Sequence, residues 1–168
     1  MSGSPLEIER VWVLTGEPAL PPGSQVWKIE QGYLPGHGTD DPDFAEGRLR
    51  RITHPDGRVT LLHTMKRGAG VVRQEVERSV DQADFDRLWP LTQGRRLRKV
   101  RHRVSEGDLV WEVDRFLDWP LWMAEVELPS EHHVVTMPAW LQPVLGKEVS
   151  TEPRWRNFAL ATLGPPSR

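Results

Sequence analysis

Six pairs of like-charged side chains recur in this chain at a spacing of two residues. Four are acidic, Glu7/Glu9, Glu75/Glu77, Glu112/Asp114 and Glu125/Glu127. Two are basic, Arg48/Arg50 and Lys99/Arg101, and Arg103 extends the second. Lys66 and Arg73 add single cations beside such runs. In an extended strand, side chains two apart share a face and stand roughly 7 Å apart. Each pair therefore concentrates one sign of charge on one face. A single pair is the ordinary solvated face of a strand, but six pairs in 168 residues call for a shared explanation. Arginine and lysine grip phosphate oxygens. Clustered carboxylates hold Mg²⁺ or Mn²⁺, which bridge to phosphates in turn. The chemistry these residues support is the holding of a polyanion together with divalent cations.

The elements that must position them read as short strands. Period-two alternation predicts strands over Glu7–Leu14, Gln25–Leu34, Glu46–Thr53, Arg58–Met65, Val72–Val80, Leu97–Val104, Leu109–Phe116 and Trp122–Leu128. His54-Pro55-Asp56-Gly57 and Ser105-Glu106-Gly107-Asp108 are tight-turn sequences between neighbouring strands. Eight short strands joined by turns predict an antiparallel sheet or barrel. Asp81 caps a predicted helix with Phe85, Leu88 and Trp89 on one face, ended by Pro90. Pro153 opens a second, carrying Trp155, Phe158, Ala159 and Thr162, with Gly164 as its stop. A short helix is weakly suggested at Pro138–Leu141. The loops Glu17–Gly23 and Pro35–Asp43 break regular structure, and Gly164–Arg168 reads as a tail. Opposite the charged faces lie Ile8, Trp12 and Leu14, then Trp111 and Val113, then Ala124, Val126 and Leu128. The two helices are expected to cover this apolar face. If the sheet closes, the charged faces share a lumen, and a water-filled tunnel suits them better than a core of dry ion pairs.

Composition removes other classes. The net charge of −2 argues against a broadly basic nucleic-acid binder. No apolar run is long enough to cross a bilayer, and no secretory signal is visible after Met1. With no cysteine, there is no disulfide, thiolate metal site or cysteine nucleophile. A cytoplasmic location is expected. One domain over residues 1–168 is expected, with its core at 5–161.

On its motifs, the chain resembles the CYTH superfamily, the triphosphate tunnel metalloenzymes, and within it the small bacterial inorganic triphosphatases. The resemblance runs from about Pro5 to Ala161. Glu7-Ile8-Glu9-Arg10 matches the two glutamates of an ExExK start, Gln31-Gly32-Tyr33-Leu34 a QGYL segment, and Arg48-Leu49-Arg50 an RxR strand. Thr64-Met65-Lys66 matches a strand-end lysine, Arg73 to Glu77 an RxExE strand, and Phe85–Arg96 with Lys99-Val100-Arg101 a helix and KxR strand. Glu112 to Phe116 matches ExDxF, and Glu125-Val126-Glu127 the late ExE. Gly146-Lys147-Glu148-Val149 and Arg154-Trp155-Arg156-Asn157 match the closing segment. The order and spacing of the motifs carry the resemblance, not any one of them.

The resemblance implies an eight-stranded antiparallel tunnel barrel with helices packed outside. It implies metal-dependent hydrolysis of inorganic triphosphate to pyrophosphate and phosphate, with Mg²⁺ or Mn²⁺. By the same carry-over, Arg48, Arg50, Lys66, Arg73, Lys99 and Arg101 clamp phosphates, and Arg154 reaches the phosphate chain at one mouth. Glu7, Glu9, Glu112, Asp114, Glu125 and Glu127 hold metal. Glu75 and Glu77 complete the acidic wall or orient the cations. The catalytic group is Glu7, Glu9, Arg48, Arg50 and Lys66. The partner is a small-molecule triphosphate, with no nucleic acid and no membrane, and a homodimer is compatible with it.

The signature is incomplete. Its lysine is Val11 here, on the same strand face as Glu7 and Glu9, and Arg10 points to the other face. Losing one charge-assisted donor from a preorganised site costs roughly 10²-fold or more in rate. Arg51 and Arg103 are the candidates to replace it. A lesser departure puts Glu152 where an aspartate often precedes the last helix. Val11 keeps open a non-catalytic binder of triphosphate, polyphosphate or nucleotide. Thiamine triphosphate and nucleoside triphosphates are alternative substrates. A plain β-barrel interaction domain is the third reading.

Other features read as structural. His132 and His133 are adjacent, so they point apart, and His37, His54, His63 and His102 lack partners by spacing. No GxSxG elbow is present, and Gly68-Ala69-Gly70 lacks the lysine of a P-loop and reads as a turn. Alternation divides the basic run Arg95–Arg103 between two faces. Trp12, Trp89, Trp111 and Trp155 fall at apolar positions and read as core.

Overall fold

The alternation becomes strands that curl into a closed barrel. The computed structural model describes residues 6–36, 47–67 and 71–167, except for the side chains of Lys66, Arg67 and Arg73. Its strands are β1 (Leu6–Leu14), β2 (Gln25–Tyr33), β3 (Arg48–Thr53), β4 (Val59–Arg67), β5 (Val72–Ser79), β6 (Arg96–Glu106), β7 (Leu109–Phe116), β8 (Trp122–Glu127) and β9 (Leu145–Glu148). The order β5-β4-β3-β2-β6-β7-β8-β1 is antiparallel throughout, and pairing of β1 with β5 closes eight strands into a barrel. All eight expected strands are present. Of the irregular segments, Gly68-Ala69-Gly70 and most of the Pro35–Asp43 loop lie outside the described residues.

The ninth strand was not legible in the sequence. β5 pairs with β1 only at Leu6–Ile8, and β9 takes the same edge further along, at Trp12 and Leu14. β9 is four residues long and carries no alternation of its own.

The turns form where the sequence placed them. Gly57 has φ +85°, and His54 N donates to Arg58 O at 2.9 Å across the hairpin. That φ is strained for residues with a Cβ and open to glycine.

Both helices differ from expectation. Asp81 caps α1 (Gln82–Leu88), its carboxylate accepting from Asp84 N at 2.7 Å. Pro90 does not end the chain's helical path. It sits in the first turn of a 3-10 segment, Trp89–Thr92, where no N–H donor is needed. Pro153–Trp155 form a separate 3-10 turn. Arg156 is extended (φ −71°, ψ 150°), and α2 starts only at Asn157 and runs to Leu163. Gly164, at φ +71°, stops it as predicted.

The apolar outer face is not covered by these helices. Trp12, Trp111, Val113, Ala124 and Val126 pack under Met137, Trp140 and Val144, which belong to the irregular stretch between β8 and β9. α1 covers another side, with Phe85 against Leu49 and Leu61. α2 closes one end of the lumen. Leu160 packs on Val13, Leu97, Phe116 and Met123, the last inward-facing residues of four strands. Among the described residues, no helix is long and apolar enough to cross a membrane.

Candidate active site

Inside the barrel is a cavity of about 670 Å³. Alternation decides which side chains reach it. β1 contributes Glu7, Glu9 and Val11; β3, Arg48 and Arg50; β5, Glu75 and Glu77. β6 contributes Arg101 and Arg103; β7, Glu112 and Asp114; β8, Glu125 and Glu127. The like-charged pairs thus converge on one lumen. Lys66 and Arg73 are placed by register alone, opposite Glu75 and Glu7 respectively.

Lys99 shares the lumen face of β6 with Arg101, but it is covered by Asn157 and does not line the open cavity. It is 1% exposed, and its Nζ donates to Asp114 Oδ2 at 2.7 Å and Asn157 Oδ1 at 3.3 Å. Arg154 is a correction. It lies outside the cavity, its Nη1 donating to Gly164 O at 3.0 Å, because the extended residue after the 3-10 turn sends Arg156 inward instead.

The two basic strands do different work. On β6, Arg101 binds Asp114 with Nε and Nη2 at 2.8 and 2.9 Å. It also reaches Glu112 at 3.0 Å and Glu125 at 2.5 Å. Arg103 approaches Glu112 at 3.2 Å. On β3, Arg48 and Arg50 are each 8% exposed, and Arg48 Nε, Arg48 Nη2 and Arg50 Nε are buried with no hydrogen-bond partner. Buried charged donors are costly unless paired. These two side chains are therefore preformed for an anion.

The acidic wall carries the opposite strain. Glu112 and Glu125 stand directly opposite on β7 and β8, as do Glu9 and Glu127 on β1 and β8. Burial raises the pKa of Glu112, with Glu125 and Asp114 adding to the rise against the pull of Arg101. Asp114 is held below the usual carboxylate range: burial opposes this, but Arg101 and Lys99 outweigh it. Burial also lowers the Lys99 pKa, with Asp114 acting against it. Among the described residues, no three carboxylate or imidazole groups gather into a ready-made metal site. The donor set is nonetheless hard oxygen, and Mg²⁺ ordinarily takes only one or two carboxylates and completes its shell with water and phosphate. The residues present fit such an ion.

Several lining residues were missed from the sequence. Tyr33 closes part of the wall, its ring 5.3 Å from that of Phe158 and its hydroxyl accepting from Gln31 Nε2 at 3.0 Å. Thr64 donates to Glu77 at 2.9 Å. At the end away from α2, Trp27 and His54 line the cavity. Arg103 lies 4.5 Å over the Trp27 ring, and His54 Nε2 is 2.7 Å from Thr60 Oγ1. His63 takes Arg78 Nε at 3.0 Å, and His102 stacks on Trp122. Trp12 and Trp111 are core, their rings 5.5 Å apart, and Trp155 packs against the core cluster under α2 while also lining the cavity.

No family model matches the chain. It is 35% identical over 166 residues to an inorganic triphosphatase of Nitrosomonas europaea, covering 95% of this chain and 99% of that protein. The chain belongs to the triphosphate tunnel family. An inorganic triphosphatase of Acetivibrio thermocellus is 30% identical over 157 residues, 92% of each chain. The crystal structure of the inorganic triphosphatase NE1496 superposes with a TM-score of 0.60 at 30% identity, covering 95% of this chain and 97% of that one. The closed barrel is the fold of this tunnel family.

Proposed function

We propose that this tunnel protein hydrolyses inorganic triphosphate to pyrophosphate and phosphate, with Mg²⁺ or Mn²⁺ as cofactor. The observation that carries the reading is the pair Arg48 and Arg50, buried in the lumen wall with donors that no protein group accepts. A phosphate chain supplies the missing acceptors. Glu7 and Glu9 on β1, with Glu127 opposite Glu9 on β8, would hold the ion. When bound, the ion neutralises phosphate oxygens and orients water. Arg48 and Arg50 hold the chain and stabilise charge on the terminal phosphoryl group as the bond to the bridging oxygen breaks. Water supplies the new P–O bond, and pyrophosphate leaves with the bridging oxygen. No covalent protein intermediate is needed.

A second reading has its own observation. Val11 puts an apolar side chain where the signature carries lysine, which favours a tunnel retained for binding only. Phosphate release from triphosphate with Mg²⁺ and then Mn²⁺, beside ATP, thiamine triphosphate and pyrophosphate, separates the two. Turnover that prefers triphosphate, stops on chelation and vanishes in Arg50→Ala supports hydrolysis. A triphosphate-dependent rise in Tm without turnover supports binding alone. Neither response overturns both.

A further inference from the structure

The lumen face of β1 runs Glu7, Glu9, Val11, and no cation follows the two carboxylates. The two arginines that might have filled in from the sequence do not. Arg51 lies outside, 5.3 Å over the Phe85 ring. Arg103 is in the wall, its Nε 3.2 Å from Glu112 without a hydrogen bond, and its guanidinium is held over the Trp27 ring. The chain brings a different cation to that end of the cavity.

The segment after β9 is tied to Val11 itself. Val149 N donates to Val11 O at 2.8 Å, and Val11 N donates to Ser150 Oγ at 2.9 Å. From there the chain crosses the end of the lumen and is tied again on the far side, through Asn157 to Lys99 on β6 and Phe158 to Tyr33 on β2. Between these anchors the extended Arg156 is half-buried and lines the cavity, while Arg154 points away. A lysine at position 11 would project into the same end of the cavity.

We infer that Arg156 delivers, from the segment that caps the tunnel, the phosphate-facing charge that β1 lacks at Val11. The two positions are interchangeable sources of one cation. This rests on the triphosphatase reading and adds to it a substrate-binding residue and a coupling between positions 11 and 156.

The test is a four-way comparison of wild type, Val11→Lys, Arg156→Gln and the double variant. Each is assayed for triphosphate turnover and for binding by calorimetry, with Tm as a folding check. Lys147→Gln removes an exposed charge from the same region, outside the cavity, as a control. Arg156→Gln is expected to weaken triphosphate binding about tenfold or more, the scale of a charged hydrogen bond. Val11→Lys alone should change binding less than threefold, yet restore most of the loss when added to Arg156→Gln. Arg156→Lys, which keeps the charge, should stay near wild type. Equal effects of Val11→Lys in both backgrounds, or unimpaired Arg156→Gln, overturn the inference while leaving the triphosphatase reading intact. Wild-type protein that neither binds nor hydrolyses triphosphate overturns that reading, and this inference with it.

Discussion

Arg101 and Asp114 stand directly opposite on β6 and β7 and are joined by two hydrogen bonds, Nε to Oδ1 at 2.8 Å and Nη2 to Oδ2 at 2.9 Å. Lys99 takes the same carboxylate from one side. Asp114 is thus the shared counter-ion of two buried cations. On β6, Lys99 and Arg101 order the acidic wall, whereas on β3 Arg48 and Arg50 keep buried donors without a hydrogen-bond partner.

Removing that counter-ion should be severe. Asp114→Asn leaves Lys99 and Arg101 underpaired in a buried setting, and breaking such a pair costs about 3–5 kcal/mol. Urea unfolding is the check. A loss below about 1 kcal/mol would mean that the lumen stays wet enough to solvate both cations.

The same residue sets an acid limit. Its folded pKa lies below its unfolded value of about 3.9, held there by Arg101 and Lys99 against burial. Its stabilisation is therefore complete above about pH 4 and is lost as pH falls toward the folded value. The Tm gap between wild type and Asp114→Asn should be constant from pH 7 to about pH 5 and shrink below pH 4. Glu112 has the opposite sign. Its folded pKa is raised by burial, so its contribution is largest in acid and is lost as pH rises through that value. A gap that instead widens in acid would refute the assignment to Asp114.

Function and stability should part company on β3. Arg50→Met removes a buried donor group with no acceptor, so Tm without ligand should hold or rise. Triphosphate turnover should fall about 10²-fold or more, as when one preorganised donor is lost. A large drop in Tm without ligand would show that Arg50 serves the fold first.

Gly32 is needed for close approach rather than for an unusual backbone angle. A Cβ there would lie 2.5 Å from Thr92 Oγ1 and 2.6 Å from Thr92 Cβ. Thr92 cannot swing away freely, because its hydroxyl bonds Trp89 O and Arg96 Nε. Gly32→Ala should cost about 1–3 kcal/mol. Thermal unfolding of Gly32→Ala, Thr92→Gly and the double variant tests it, and the double variant is expected to lose less than the sum of the two single losses.

What was legible follows one physical rule. Alternation assigns faces, and it sets Glu7, Arg48, Glu112 and Glu125 on the faces that the closed barrel turns into its lumen. Elements without periodicity were not legible. β9 has four residues, and its pairing depends on an edge of β1 that β5 leaves uncovered. Pro90 and Pro153 were read as boundaries, but a proline in the first turn of a 3-10 segment is equally comfortable. The swap of Arg154 for Arg156 follows from one extended residue, a single ψ angle that propensity does not reveal. Lys99 was correctly placed on a basic strand, yet its cover depends on Asn157 from a remote segment.

The double use of β1 bears on how the molecule is made. Its edge toward β5 is shared with β9, and Val11 bonds Ser150 across 139 residues of chain. Contacts so far apart in sequence form slowly, since loop closure precedes any reward. During synthesis β1 emerges long before the segments that seal it. The nascent chain therefore spends that interval with an unpaired strand edge, the form most prone to pairing with a second chain.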